Sequence, residues 1–231
     1  MGTDSPSVPV TVADALPYLR TGRLARGDDL TNNRPAKHLI DERRTYFRRH
    51  AATVLRGRLR GQPDEQHRAL SRRIAGVRAV ARELWELVAQ RPVWRVIQSV
   101  RSEPSTSQGL HSAALELTVL ELDQLVIGPS GVYTIETVYR ATEAVSTSSA
   151  RNAARRTQGI LGRATRVPIT VQPLIVFART DQPRIEGPHD GVEVLTVDEL
   201  VPWLERQRPM LTERELEIVH LAARDHRTWV G

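Results

Sequence analysis

Apolar residues recur at helical spacing in the first part of the chain. The clearest pattern is a stripe of six apolar residues separated by alternating steps of four and three: Leu70, Ile74, Val77, Ala81, Leu84 and Val88. This spacing places all six on one face and predicts a helix from about Asp64 to Gln90, which an Arg-Pro pair ends. A preceding helix is predicted with Asn33 as its N-cap and Pro35 in its first turn.

After Pro92 the period of the pattern changes from that of a helix to that of β-strands. Runs rich in β-branched and apolar residues predict strands at 93–100, 111–128, 131–139, 169–178 and 192–197, with 111–128 as one long strand or two short ones. Helical patterns return at 148–163, 198–206 and 212–224, the last with a capping box of Thr212 and Glu215. This order of elements predicts an α/β fold in which helices flank a mixed sheet.

The composition excludes several classes of protein. There is no cysteine, which excludes disulfide frameworks, thiolate metal sites and cysteine nucleophiles. No apolar run reaches the roughly 18 residues of a membrane span, and the first ten residues do not resemble a secretory signal. We therefore expect a cytoplasmic protein that does not contact membranes.

The positive charge is concentrated near the N-terminus. The formal net charge is +6, and residues 1–75 hold 15 basic and 8 acidic side chains, whereas the rest of the chain holds 18 and 19. Lys37 is the only lysine, so the other basic residues are arginines. We predict a flexible segment at 1–32, a basic helical extension at 33–63 and the α/β domain at 64–231.

The basic extension suggests contact with a polyanion. Five of its arginines are candidate contacts to nucleic-acid phosphates: Arg43, Arg44, Arg48, Arg49 and Arg56. The alternative is that four apolar residues dock this helix on the domain and leave the arginines as a solvated face: Ile40, Phe47, Val54 and Leu55.

A predicted hairpin brings acidic residues together. Residues 128–131, Gly-Pro-Ser-Gly, form a turn between two apolar runs, and symmetric closure places Asp123 opposite Glu136. Glu121 projects on the same face as Asp123. Carboxylates this close favour a divalent cation between them, and all three are candidate metal ligands. Alternatively, they lie at the solvent end of the sheet or pair with arginines, and a bulge would change the register.

The hairpin resembles the corresponding segment of the NERD, or nuclease-related, domain, a branch of the PD-(D/E)XK nuclease superfamily. The similar residues run from Asp123 to Val138 and read Asp-Gln-Leu-Val-Ile-Gly-Pro-Ser-Gly-Val-Tyr-Thr-Ile-Glu-Thr-Val. Weaker similarity extends over about 33–231. The resemblance implies a restriction-endonuclease-like sheet and a phosphodiesterase site in which Asp123 and Glu136 hold Mg²⁺.

The same resemblance implies that this site is degenerate. Val138 stands where the family has the lysine of its E-x-K motif, Val80 where it has a helical glutamate, and Gln124 where it has a histidine. A valine can neither orient a water molecule nor stabilise developing charge. Glu83 and Arg140 are weak candidates to replace the missing groups. The seven histidines show no metal-binding spacing, and most are predicted to lie at the surface.

The sequence therefore predicts a non-catalytic protein that binds nucleic acid or a protein partner. Arg140, Arg151 and Arg155 follow the hairpin and are further candidate contacts to DNA. The alternative is an active Mg²⁺-dependent DNA endonuclease with a rearranged site. The sequence predicts no oligomeric state and does not decide between DNA and protein as the partner.

Overall fold

The chain folds into one mixed five-stranded sheet with helices on both faces. The structure is a computed structural model that describes residues 24–102, 119–139, 147–179 and 191–230. The strands are β1 (Arg95–Ser102), β2 (Leu120–Gly128), β3 (Gly131–Val138), β4 (Val171–Phe177) and β5 (Glu193–Thr196). The helices are α1 (Lys37–Leu59), α2 (Glu65–Gln90), α3 (Thr147–Thr165), α4 (Val197–Arg206) and α5 (Glu213–Arg224). A mixed sheet flanked by helices is thus confirmed.

The sheet changes from antiparallel to parallel at β3. Its strand order follows the chain, with β1, β2 and β3 antiparallel and β3, β4 and β5 parallel. A parallel connection needs a crossover, and α3 lies between β3 and β4 in the chain. Of the strand predicted at 111–128, residues 120–128 form β2, and 111–118 lie outside the described residues.

Two apolar layers cover the two faces of the sheet. On one face, α2 and α4 pack against β3 and β4 through residues such as Val80, Leu84 and Ile135. On the other face, α3 and α5 pack on the sheet through residues such as Leu161 and Ile218. The apolar stripe predicted for α2 is its buried face, since five of its six residues are less than 5% exposed.

Side chains cap the N-termini of α2 and α5, whereas α1 begins differently. Asp64 caps α2 by accepting a hydrogen bond from the His67 N–H, and Thr212 caps α5. The prediction that Asn33 caps α1 is wrong. The cap position is Ala36, in a left-handed conformation, because the Asn33 side chain instead donates to the carbonyl oxygen of Ser99 on β1.

The chain before α1 packs against the end of α5. Leu30 is buried in the layer that α5 covers, and Arg224 lies 2.6 Å from the Asp29 carboxylate. The N–H of His226 donates to the carbonyl oxygen of Asp28. These residues fall in the segment predicted to be flexible. Among the described residues, no helix has the length and hydropathy needed to cross a bilayer.

The β2–β3 turn depends on a close approach at Gly128. A Cβ atom on Gly128 would lie 2.1 Å from the Trp94 ring, so Gly128→Ala should lower the free energy of unfolding by about 2–3 kcal/mol. The control is Gly162→Ala in α3, where a Cβ meets no atom within 4 Å and should stabilise the helix by about 0.5–1 kcal/mol. Urea denaturation measures both, and two equal values would contradict this account.

Candidate functional site

A cleft of about 420 Å³ lies where β2 and β3 meet the first turns of α3. Asp123 and Glu136 line it from the strands, and Ser149, Asn152 and Arg156 from α3. His38 of α1 and Arg73 of α2 also line it, so five elements contribute to its walls: β2, β3, α1, α2 and α3. All the charged side chains that line the cleft therefore belong to helices or strands.

The hairpin register places the two acids in this cleft. The β2–β3 ladder runs from the Gly128–Gly131 pair to the Gln124–Ile135 pair, which is the symmetric register that the turn predicted. Beyond it, the N–H of Thr137 donates to Asp123 Oδ2 at 2.9 Å. If the two strands paired further, this N–H would donate to a backbone carbonyl oxygen of β2, but here it donates to the Asp123 carboxylate. The Asp123 side chain is only 8% exposed.

Helix α1 brings His38 to the same carboxylate. His38 Nε2 lies 3.4 Å from Asp123 Oδ1, and the His38 side chain is 11% exposed. Its second ring nitrogen, Nδ1, is buried and makes no hydrogen bond within the described part of the chain. His38 is thus not a surface histidine. No spacing in the sequence singles it out, because the contact depends on how α1 packs.

Among the residues of the cleft, Glu136 has the pKa that departs most clearly from its ordinary value. Burial and the nearby Asp123 carboxylate raise its pKa to about 7, and Arg73 opposes this rise. Glu136 therefore exchanges its proton near neutral pH.

Glu121, the third predicted metal ligand, lies at the rim of the cleft. Its side chain is 45% exposed, and one carboxylate oxygen is 3.5 Å from Arg101 Nε. Within the residues described, no group of three or more histidine, aspartate or glutamate side chains is arranged to hold a metal ion. The metal site with Asp123, Glu136 and Glu121 stays a prediction.

The side chains at the three positions where the chain departs from the family pattern are all buried. Val138 is buried with Ala150 and Phe177. Val80 is fully buried in the α2 layer, among residues that cover the other face of the sheet. Gln124 is also fully buried, and its amide donates to the carbonyl oxygen of Val77 on α2. Val80 and Val138 are therefore apolar core positions, whereas Gln124 is a buried polar position that is hydrogen-bonded to α2.

The candidate rescuing groups do not complete the site. Glu83 lies on α2 and does not line the cleft. Arg140 lies outside the described residues. Sequence reasoning missed Arg73 and noted Arg156 only as one of the arginines at the start of α3, without placing it in this cleft.

The arginines predicted to contact nucleic acid lie on α1 and α3. On α1, Arg44, Arg48, Arg49 and Arg56 are exposed, whereas Arg43 is half-buried and donates to the Ser71 hydroxyl. Of the two on α3, Arg155 is exposed and Arg151 is half-buried, and neither lines the cleft.

Comparison with known proteins adds no identification. The chain matches no protein-family model, and no curated protein matches its sequence. The resemblance to nuclease-related domains therefore rests on the residues quoted above, chiefly those of the hairpin.

The raised pKa of Glu136 makes the stability of the fold depend on pH. The charged carboxylate is disfavoured in the folded state, so stability should fall as the pH rises from about 4.5 to about 7. Glu136→Gln removes this loss. Its stabilising effect should be larger at pH 8 than at pH 4.5 by on the order of 2–3 kcal/mol, measured by urea denaturation. Glu121→Gln, at the exposed rim, is the matched control. An equal effect of Glu136→Gln at both pH values would contradict the raised pKa.

Proposed function

We propose that this chain is a nuclease-related protein without hydrolytic activity that binds the phosphate backbone of nucleic acid through the arginines of α1. The observation that carries the loss of activity is the burial of Val138, which is 4% exposed between α3 and the parallel strands. The position that supplies a lysine in the family is here part of the apolar core.

The remaining charged groups of the cleft do not replace that lysine. Arg73 and Arg156 line the cleft, but a guanidinium stays protonated and cannot act as a base. Asp123 already accepts from Thr137 and lies beside His38, so its oxygens have partners within the protein. Hydrolysis of a phosphodiester needs an oriented, activated water, and the buried Val138 side chain cannot orient one as the family's lysine does.

The arginine surface supports the binding role. No acidic residue occurs between Glu42 and Asp64, whereas seven arginines do. One acidic residue, Asp41, lines an open groove together with four of these arginines: Arg43, Arg44, Arg48 and Arg58. Such a surface attracts phosphates by charge and displaces their counterions, which requires no particular base sequence.

One observation favours a second candidate, an active metal-dependent nuclease. Asp123 and Glu136 still face a single cleft that is wide enough for a phosphate, with Arg73 and Arg156 in its walls. A metal ion between the two acids would lower the pKa of Glu136, because its charge would offset both the burial and the Asp123 repulsion that now raise it.

The absence of hydrolysis is tested directly with purified protein. In Mg²⁺ or Mn²⁺, supercoiled plasmid and single-stranded DNA should stay intact over hours, as followed by gel electrophoresis. The matched control is Asp123→Asn, prepared identically, which separates intrinsic activity from a contaminant. Cleavage by the wild-type chain that Asp123→Asn abolishes would overturn this part of the proposal and favour the second candidate.

Nucleic-acid binding should depend strongly on salt and on the α1 arginines. Each phosphate contact contributes about −0.9 to the slope of log K against log salt on duplex DNA, so Arg44→Ala with Arg48→Ala should reduce the slope by about two. Fluorescence anisotropy with a labelled duplex measures this.

The matched control for that experiment is Arg208→Ala with Arg214→Ala. It removes the same charge from exposed positions before and at the start of α5. Equal weakening by both double variants would show that only net charge matters. No binding at about 50 mM salt would refute the DNA-binding role and leave a protein as the partner.

A further inference from the structure

The antiparallel pairing of β1 with β2 is interrupted beside Asp123. Gln98 pairs with Gln124 and Val100 with Leu122, so Ser99 lies at the register position opposite Asp123, but the two do not form a ladder pair. Ser99 has a φ of 50°, which is in the left-handed region that a residue with a Cβ atom rarely adopts. Such a conformation persists only where surrounding contacts determine it.

Those contacts come from the start of α1. The Lys37 N–H donates to Ser99 Oγ at 2.9 Å, and this hydroxyl donates to the carbonyl oxygen of Arg34 at 3.2 Å. The Asn33 side chain donates to the Ser99 carbonyl oxygen at 3.1 Å. We call these four residues the Ser99 latch. A second left-handed residue, Ala36 with a φ of 59°, lies within the segment that the latch holds.

The latch fixes the position of the next residue, His38. Because Lys37 is bonded to β1 directly opposite Asp123, the His38 ring is directed to the Asp123 carboxylate, where Nε2 lies 3.4 Å from Oδ1. The other oxygen, Oδ2, accepts from Thr137. Both oxygens of Asp123 therefore have a neighbouring protein nitrogen.

This arrangement does not fit the divalent metal that the nuclease resemblance implies. A carboxylate ligand must turn an oxygen to the ion at about 2.0–2.6 Å, and His38 occupies the approach to Oδ1. Arg73 adds positive charge near Glu136. The cleft thus supplies basic side chains where the family would place an ion.

We propose that α1 blocks the acidic cleft. The Ser99 latch holds His38 against Asp123, and His38 thereby excludes divalent cations from the Asp123–Glu136 pair. In this proposal His38 is a positioning and blocking residue. The proposal concerns the cleft and does not depend on whether the α1 arginines bind DNA.

Isothermal titration calorimetry of the full chain with Mn²⁺ tests this proposal. His38→Ala should bind Mn²⁺ tighter than the wild-type chain by about tenfold or more, which is the scale on which neighbouring groups change metal affinity. The matched control is His50→Ala, which removes an exposed histidine from the same helix and should leave the affinity unchanged. Adding Asp123→Asn to His38→Ala should abolish the gain.

A second variant tests the latch while keeping His38. Ser99→Ala removes two of the three latch hydrogen bonds and retains the Cβ atom, so Mn²⁺ affinity should rise, by less than in His38→Ala, and amide exchange in the first turn of α1 should speed up. If His38→Ala binds Mn²⁺ more weakly than the wild-type chain, His38 is a metal ligand and the proposal is wrong. It is also wrong if neither variant changes the affinity while circular dichroism shows both folded.

Discussion

The hydrogen bond from the Thr137 N–H to the Asp123 carboxylate determines the chemistry of this fold. It lies where the β2–β3 ladder ends, so a side chain takes the place of a backbone acceptor. Asp123, fixed in this way, shares a cleft with Glu136, and burial together with this neighbouring carboxylate raises the pKa of Glu136 to about 7. Arg73 opposes part of that rise, and His38 lies beside the Asp123 carboxylate.

The parts of the fold that the sequence predicts are those set by local spacing. The stripe on α2, the Thr212 capping box and the Gly-Pro-Ser-Gly turn are each decided by residues within a few positions of one another. The hairpin register, and with it the common cleft of Asp123 and Glu136, follows from the turn. These contacts need no knowledge of the remainder of the chain.

The parts that the sequence does not predict depend on contacts between distant residues. Asn33 has the chemistry of an N-cap, yet it bonds to Ser99, 66 residues away, and the helix begins later at a left-handed alanine. His38 reaches Asp123 for the same reason. Val80 corresponds to the family's helical glutamate, but it packs in the layer on the other side of the sheet from the cleft. Helical spacing shows which residues share a face without showing what that face meets.

The contact between the start and the end of the described chain has a consequence for the order of folding. Arg224 and Asp29 are 195 residues apart in sequence, and their ion pair closes almost the whole chain into a loop. The entropy lost in closing a loop increases with its length, so such a contact gains little until the intervening sheet is compact. The Asp28–Leu30 segment should therefore dock last during folding and detach first during unfolding. Synthesis from the ribosome imposes the same order, since α5 emerges only after the sheet on which this segment packs.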